Sequence, residues 1–228
     1  TPTAARWWSF RAPVRPAVPS SAAANPIDAF LNAKLAAKGI VPTATADRAT
    51  LIRRATFDLH GLPPTYAEIQ DFVKDSRADA WPRLIERLLA SPRYGEKWGK
   101  HWLDLARYGD TSGFEQDPYL LYSFRFRDYV IQSFNDDKPY DRFIKEQIAG
   151  DEIFPEDPEA QQGTGFYTVG TNRDMLYKVE DINREESLTD FVDTTSSVFL
   201  GLTVGCARCH DHKFDPIPQR DYYRLQAI

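Results

Sequence analysis

The stretch Cys206-Ala207-Arg208-Cys209-His210 constrains this chain more than any other. Two thiols three positions apart, at the start of a helix, can each add to one vinyl group of a haem and form a thioether. The histidine directly after the second cysteine can then supply an imidazole nitrogen to the iron as proximal ligand. The chain has two cysteines in all and both are here, so neither is left for a structural disulfide. The motif predicts one covalent haem c held by Cys206, Cys209 and His210.

Three other readings use the same residues. A Cys-x-x-Cys pair can be a dithiol redox centre, although that chemistry usually sits at a βαβ turn and has no need of the following His. Cys206, Cys209, His210 and His212 are the right ligand types for zinc, but the histidines follow Cys209 too closely for the usual two-plus-two spacing. The cysteines could also be a buried pair without a role. The complete five-residue pattern favours haem over all three.

A chain of 228 residues is long enough for one sizeable domain or two small ones without staples. Aromatic residues make up 13% of it, a surplus that suits the wall of a large flat cofactor and equally an ordinary dense core. The net charge of −5 comes without a Lys/Arg block, which argues against nucleic acid or an anionic membrane as partner. No run approaches the roughly twenty apolar residues of a membrane span, and no signal-peptide pattern is read. The first residue is Thr1 rather than Met, so the chain is expected to be processed or cut from something longer. Covalent haem attachment in bacteria takes place beyond the cytoplasmic membrane, so the motif predicts a periplasmic or cell-surface location.

Residues 1–24 are rich in Pro, Ala and Ser and predict an extended arm or linker, with Trp7, Trp8 and Phe10 apolar enough to dock on a surface. Residues 25–228 predict one mainly α, irregular multi-helix domain with long loops around the covalent haem, without strand runs or repeats. Asn25-Pro26 is a cap followed by an N1 proline and opens a helix that stops at Gly39. A second helix spans about 47–59 and ends at Gly61-Leu62-Pro63-Pro64. Thr65 and Glu68 form a capping box for a third. Leu84, Ile85, Leu88 and Leu89 mark a fourth, and Ser91-Pro92 opens a fifth reaching about Tyr108. Further helices are expected at about 118–134 and 140–148. Residues 150–184 read as one long irregular segment, after which a helix over 185–204 delivers the cysteines and another begins at Pro218.

The motif does not fix the ligand on the opposite face of the iron. Only 18 residues (228 − 210) follow His210, none of them Met, so a distal ligand within this chain comes from upstream, or the iron is five-coordinate. The candidates are His60, His101, His212 and Met175. On the fifth helix Tyr94, Trp98, His101, Trp102, Leu105 and Tyr108 fall on a single apolar face. A histidine on such a stripe is ordinarily a satisfied core residue. With a haem in need of an axial partner, His101 becomes the leading ligand, and Trp98 and Trp102 become candidate haem-wall residues.

Met175, the one methionine, sits in the irregular segment, where a loop can present a thioether; its other reading is a gap-filler in the core. His60 lies at a helix end, where a capping or cationic role fits. His212 is too near the proximal ligand to cross the iron and suits a propionate or a contact on the proximal side. The second nitrogen of His210 needs an acceptor that orients the ring, for which the Asp215-Pro216-Ile217-Pro218 segment is the nearest stiff source. Asp110, Glu115 and Asp117, like Asp151, Glu152 and Glu156, lack the spacing of a calcium loop and read as solvated acidic faces.

Six runs in order carry a family resemblance. They are Leu51-Ile52-Arg53-Arg54-Ala55-Thr56-Phe57-Asp58-Leu59, Gly61-Leu62-Pro63-Pro64, Ser91-Pro92-Arg93-Tyr94-Gly95, His101-Trp102-Leu103-Asp104-Leu105-Ala106-Arg107-Tyr108, Pro139-Tyr140-Asp141-Arg142-Phe143 and Gly205 through Pro216. Over about residues 25–228 the chain resembles the planctomycete-type cytochrome c domain family, exported haem c domains of unsettled role. The resemblance implies a haem c domain and export. It puts His101 on a motif position, Met175 near a recurrent Met, and His60 where the family more often has Thr. Members are usually the middle of larger exported proteins, and Trp8 through Pro16 resembles the linker before this domain. The partner domain that usually follows is not in this chain.

These expectations support a mono-haem cytochrome that passes single electrons between redox protein partners outside the cytoplasm. Two alternatives stand beside it: a haem enzyme or ligand-binding module with an open distal site, and a haem-stapled structural domain of a larger surface protein. A credible sixth ligand favours the first, which is not an enzyme in the ordinary sense.

Overall fold

The computed structural model describes residues 7–20, 23, 25–113, 117–170 and 180–227. The chain divides into two compact units, Thr1–Asp47 and Arg48–Ile228. In the first, a 3-10 turn at Trp8–Phe10 leaves Trp8 and Phe10 exposed. Helix α1 (Pro26–Ala37) belongs to the same unit, so it groups with the arm residues. It opens where the Asn25 side chain accepts the Ile27 N–H at 2.8 Å, with proline at the first position, and Gly39 follows it at φ +65°.

The second unit begins with α2 (Arg48–His60), α3 (Tyr66–Lys74) and α4 (Ala80–Leu89), packed about Ile52, Phe72, Leu84 and Leu88. The expected capping box forms in full: Glu68 accepts the Thr65 N–H at 2.8 Å and its own N–H donates to the Thr65 hydroxyl. The His60 ring donates through Nε2 to the Leu88 carbonyl at 2.8 Å, which ties the ends of α2 and α4. Its capping role therefore serves α4, not its own helix.

Helices α5 (Pro92–Leu105), α6 (Ser123–Asn135), α7 (Tyr140–Ile153, kinked at Ala149) and α8 (Pro158–Gly163) build a larger core of Trp102, Phe126, Tyr129, Phe143 and Phe166. The Thr111–Tyr119 bridge and a turn precede α6, so it starts later than its composition predicts. Helix α8 and the 3-10 turn Thr164–Tyr167 fall in the segment expected to be irregular. Asp157 caps α8 by accepting the Glu159 and Ala160 N–H groups. Among the described residues there are ten α-helices and no strand beyond that bridge, as the mainly α reading requires.

The buried line of α5 differs from the expected one. Gly95, Gly99, Trp102 and Ala106 are buried, whereas Trp98, His101 and Leu105 are exposed. The cause is the close approach of α6. A Cβ on Gly95 would strike the Ile131 carbonyl and the Asn135 side chain, and one on Gly99 would lie 3.3 Å from Ile131 Cγ1. Two glycines thus turn the helix away from its apolar stripe.

The polar groups inside this core are answered. Glu146, fully buried, accepts from Lys138 Nζ at 2.6 Å, Arg142 Nε at 2.6 Å and the Tyr129 hydroxyl at 2.8 Å. Burial alone would raise its carboxyl, but these hydrogen bonds overcome it and hold the group below the ordinary glutamate range. Gln147 accepts the Trp102 indole N–H at 2.7 Å and donates to the Phe143 carbonyl.

Candidate functional site

Helix α9 (Glu180–Thr195) runs into a π-helical turn, Ser196–Leu200, that Gly201 stops in the left-handed region at φ +63°. The helix expected to reach residue 204 therefore ends earlier, and the cysteines ride on a separate 3-10 turn, Val204–Arg208. Ring contacts and an ion pair fix α9 and its π-turn to the larger core, among them Phe191 of α9 against Tyr167 at 5.2 Å. Phe199 lies 5.9 Å from the Trp102 ring and 5.1 Å from Phe166. Arg107 at the end of α5 donates through Nε to Asp190 and through Nη1 to the carbonyls of Ala106 and Phe166. These bonds hold Arg107 at φ +55°, a conformation that a non-glycine residue adopts at a cost.

The Cys-x-x-Cys-His turn has an inside and an outside. Val204 and Ala207 are buried against Val192, Ile217 and Tyr222, while Cys206 and Cys209 are exposed free thiols. Residues three apart superpose in a 3-10 turn, and Cys209 caps it with near-helical angles, so both thiols occupy one side. Helix α10 (Gln219–Gln226) clamps the turn: Gln219 Nε2 and the Tyr223 hydroxyl donate to the Arg208 carbonyl at 2.9 and 3.1 Å. The Asp211 carboxylate accepts the Gln219 backbone N–H at 2.9 Å.

His210 is exposed, and its Nδ1 lies 2.8 Å from the Asp211 carbonyl. A carbonyl can only accept, so Nδ1 carries a ring proton and is the donor, which leaves Nε2 as the nitrogen that faces away from this bond. The acceptor is thus a backbone carbonyl, but from Asp211 rather than from the 215–218 segment. His212 closes a loop instead: its ring Nδ1 accepts the Asp215 backbone N–H at 2.8 Å, and its backbone N–H donates to the Ile217 carbonyl at 2.8 Å. The Asp215 carboxylate is 3.4 Å from the same Nδ1. That nitrogen is already an acceptor and has no proton to share, so loop closure, not ion pairing, is its role.

The remaining candidates are dispersed. His101 is exposed, with its ring edge-on to Trp98 at 5.6 Å, and neither a hydrogen bond nor ring stacking joins it to His210. Trp98 is exposed and Trp102 is a core residue. Met175 and Glu115 lie outside the described residues. Among the described residues no three His, Cys, Asp or Glu side chains gather as a metal-ligand set, so the zinc quartet is not assembled. A cleft of about 790 Å³ along α3 and α4 contains none of the motif residues; the Arg77–Asp75 and Arg83–Asp79 pairs offset the charges that line it.

Sequence reasoning missed Asp193. A Cβ on Gly205 would meet Asp193 Oδ1 at 2.5 Å, which places this carboxylate against the backbone just before Cys206. Oδ1 is buried without a hydrogen-bond partner, as is the Tyr222 hydroxyl. Burial first, and Asp190 second, raise the Asp193 carboxyl above the ordinary aspartate range, while Arg208 pulls it down. Its sequence signal was slight: an acid placed directly after Phe191-Val192.

The molecule is therefore a helical domain that presents an exposed Cys-x-x-Cys-His turn. The chain belongs to the family described as PSCyt2, protein of unknown function (DUF1549), which matches residues 26–228. Nothing matches it among curated proteins or among solved structures.

Proposed function

We propose that this is a mono-haem c-type cytochrome domain that passes single electrons between redox protein partners outside the cytoplasm. The observation that carries the reading is the Cys-x-x-Cys-His turn, with two free thiols on one open side and a neighbouring exposed His210 whose Nδ1 is held by the Asp211 carbonyl, leaving Nε2 free of that bond. These residues fit the group. Each S–H can add across one vinyl C=C to give a thioether with no further reactant, and Nε2 can donate its lone pair to iron. Once bound, the haem would supply an iron centre that changes its charge by one electron.

The chain's own part is to hold and orient. Val204 and Ala207 anchor the turn, and α10 fixes its Arg208 carbonyl. The Asp211 carbonyl sets the tautomer and the orientation of the His210 ring. His101 is the distal ligand in this reading, with Trp98 beside it as wall, and Met175 is its rival. A location in the periplasm or at the cell surface follows from the attachment chemistry.

Visible spectra of the purified protein, oxidised and dithionite-reduced, test the reading. A sharp low-spin reduced spectrum, insensitive to carbon monoxide, is expected. His101→Ala should turn the oxidised form high-spin and open it to cyanide; an unchanged spectrum moves the ligand to Met175. A wild-type spectrum that responds to carbon monoxide would replace electron transfer by an open-iron catalytic or sensing role.

A further inference from the structure

We propose that Asp193 takes up a proton when this site accepts an electron, so that the potential of the domain depends on pH; the inference rests on the haem reading above. The carboxylate lies against Gly205, beneath the turn that carries Cys206 and Cys209, and touches neither His210 nor His101. Its Oδ1 is buried without a partner, in contrast to Glu146, whose carboxylate has three donors. The Ser196 hydroxyl donates to the backbone carbonyl of Asp193 and does nothing for the carboxylate.

The charges around it leave it poised. Asp190, on the same helix, repels it, though Arg107 already neutralises Asp190. Arg208 on the same turn as the cysteines attracts it, and α10 places in this cluster the buried, unpartnered Tyr222 hydroxyl. The balance raises the carboxyl. One more negative charge nearby, in a low-dielectric surrounding, strengthens the hold on the proton. By linkage, the protonated carboxyl makes acceptance of the electron easier to the same extent.

The step balances. One electron comes from a one-electron donor protein and one proton comes from water, and the carboxylate becomes a carboxylic acid; reoxidation returns both. Asp193 as a residue is half-buried, with Oδ1 its enclosed oxygen.

The test uses the haem-loaded protein. Midpoint potentials of wild type and Asp193→Asn are measured by spectroelectrochemical titration between about pH 4 and pH 8, bracketing the ordinary aspartate value and neutrality. The wild-type potential should fall as pH rises, toward at most ~59 mV per pH unit for one proton per electron. Asp193→Asn should flatten the slope. A flat wild-type profile, or a slope the variant keeps, overturns the inference while the haem band leaves the cytochrome reading standing. Absence of any covalent haem band overturns both.

A second readout does not depend on the haem. A carboxyl raised in the fold contributes stability that is fully present below its unfolded value and is lost as pH rises through its folded value. Wild type should therefore lose stability relative to Asp193→Asn as pH rises above the ordinary aspartate value of about 4, by denaturant unfolding. A difference independent of pH would show an unperturbed carboxyl and sink the inference.

Discussion

Around Trp102 each buried carboxylate or amide has its donors and acceptors in place, as Glu146 and Gln147 show. Around Tyr222, beneath the Cys-x-x-Cys-His turn, Asp193 Oδ1 and the Tyr222 hydroxyl are buried without partners. Unpaired buried polar atoms are destabilising. The larger core thus supplies rigidity and positions α9 through Arg107–Asp190 and Trp102–Phe199. The smaller cluster keeps polar atoms that nothing in the fold uses, next to the Cys-x-x-Cys-His turn.

Breaking the satisfied core should have the largest effect. Glu146→Ala leaves Lys138, Arg142 and Tyr129 facing an empty acceptor site and should cost about 3–5 kcal/mol in urea unfolding. A loss below ~1 kcal/mol would mean that water replaces the carboxylate. Arg107→Ala removes the polar link between the larger core and α9, leaving the aromatic contacts, and should cost about 1–3 kcal/mol. It should also speed hydrogen exchange along α9; exchange confined to the α5 terminus would contradict that link.

Two tyrosines sharpen the contrast at smaller scale. Tyr129→Phe removes a bonded hydroxyl and should cost about 1 kcal/mol, whereas Tyr222→Phe removes an unpaired one and should be neutral within ~0.5 kcal/mol. The carboxyls should differ in the sign of their pH dependence. Glu146 is lowered in the fold, so its contribution is present above its unfolded value of about 4.3 and lost as pH falls through the folded one. Glu146→Gln should therefore make the acid limb of the stability curve shallower; for Asp193 the dependence is reversed.

Local signals in the sequence located most helix starts. Asn25-Pro26, Thr65 with Glu68, and Ser91-Pro92 each complete their cap within a few residues. Asp157-Pro158 is the same signal and opens α8, yet the Gly, Asp and Pro around it masked the pattern. The buried line of α5 was not legible, because Gly95 and Gly99 matter only against Ile131 and Asn135 on another helix. Hydrophobic periodicity counts side chains and cannot register a face chosen for having none. At the site, Cys206, Cys209 and His210 were legible because they stand together as one short motif in the chain, whereas Asp193 gains its significance from a fit against Gly205, in a different element.

The covalent link itself is the most direct test. The protein is expressed in a bacterium that matures haem c, then denatured and extracted with acidified organic solvent, and the polypeptide is followed by absorbance and intact mass. Haem should remain on the wild-type chain and be lost from the Cys206→Ser, Cys209→Ser double variant. Haem that extracts freely, or a wild-type chain that never carries it, would contradict the account.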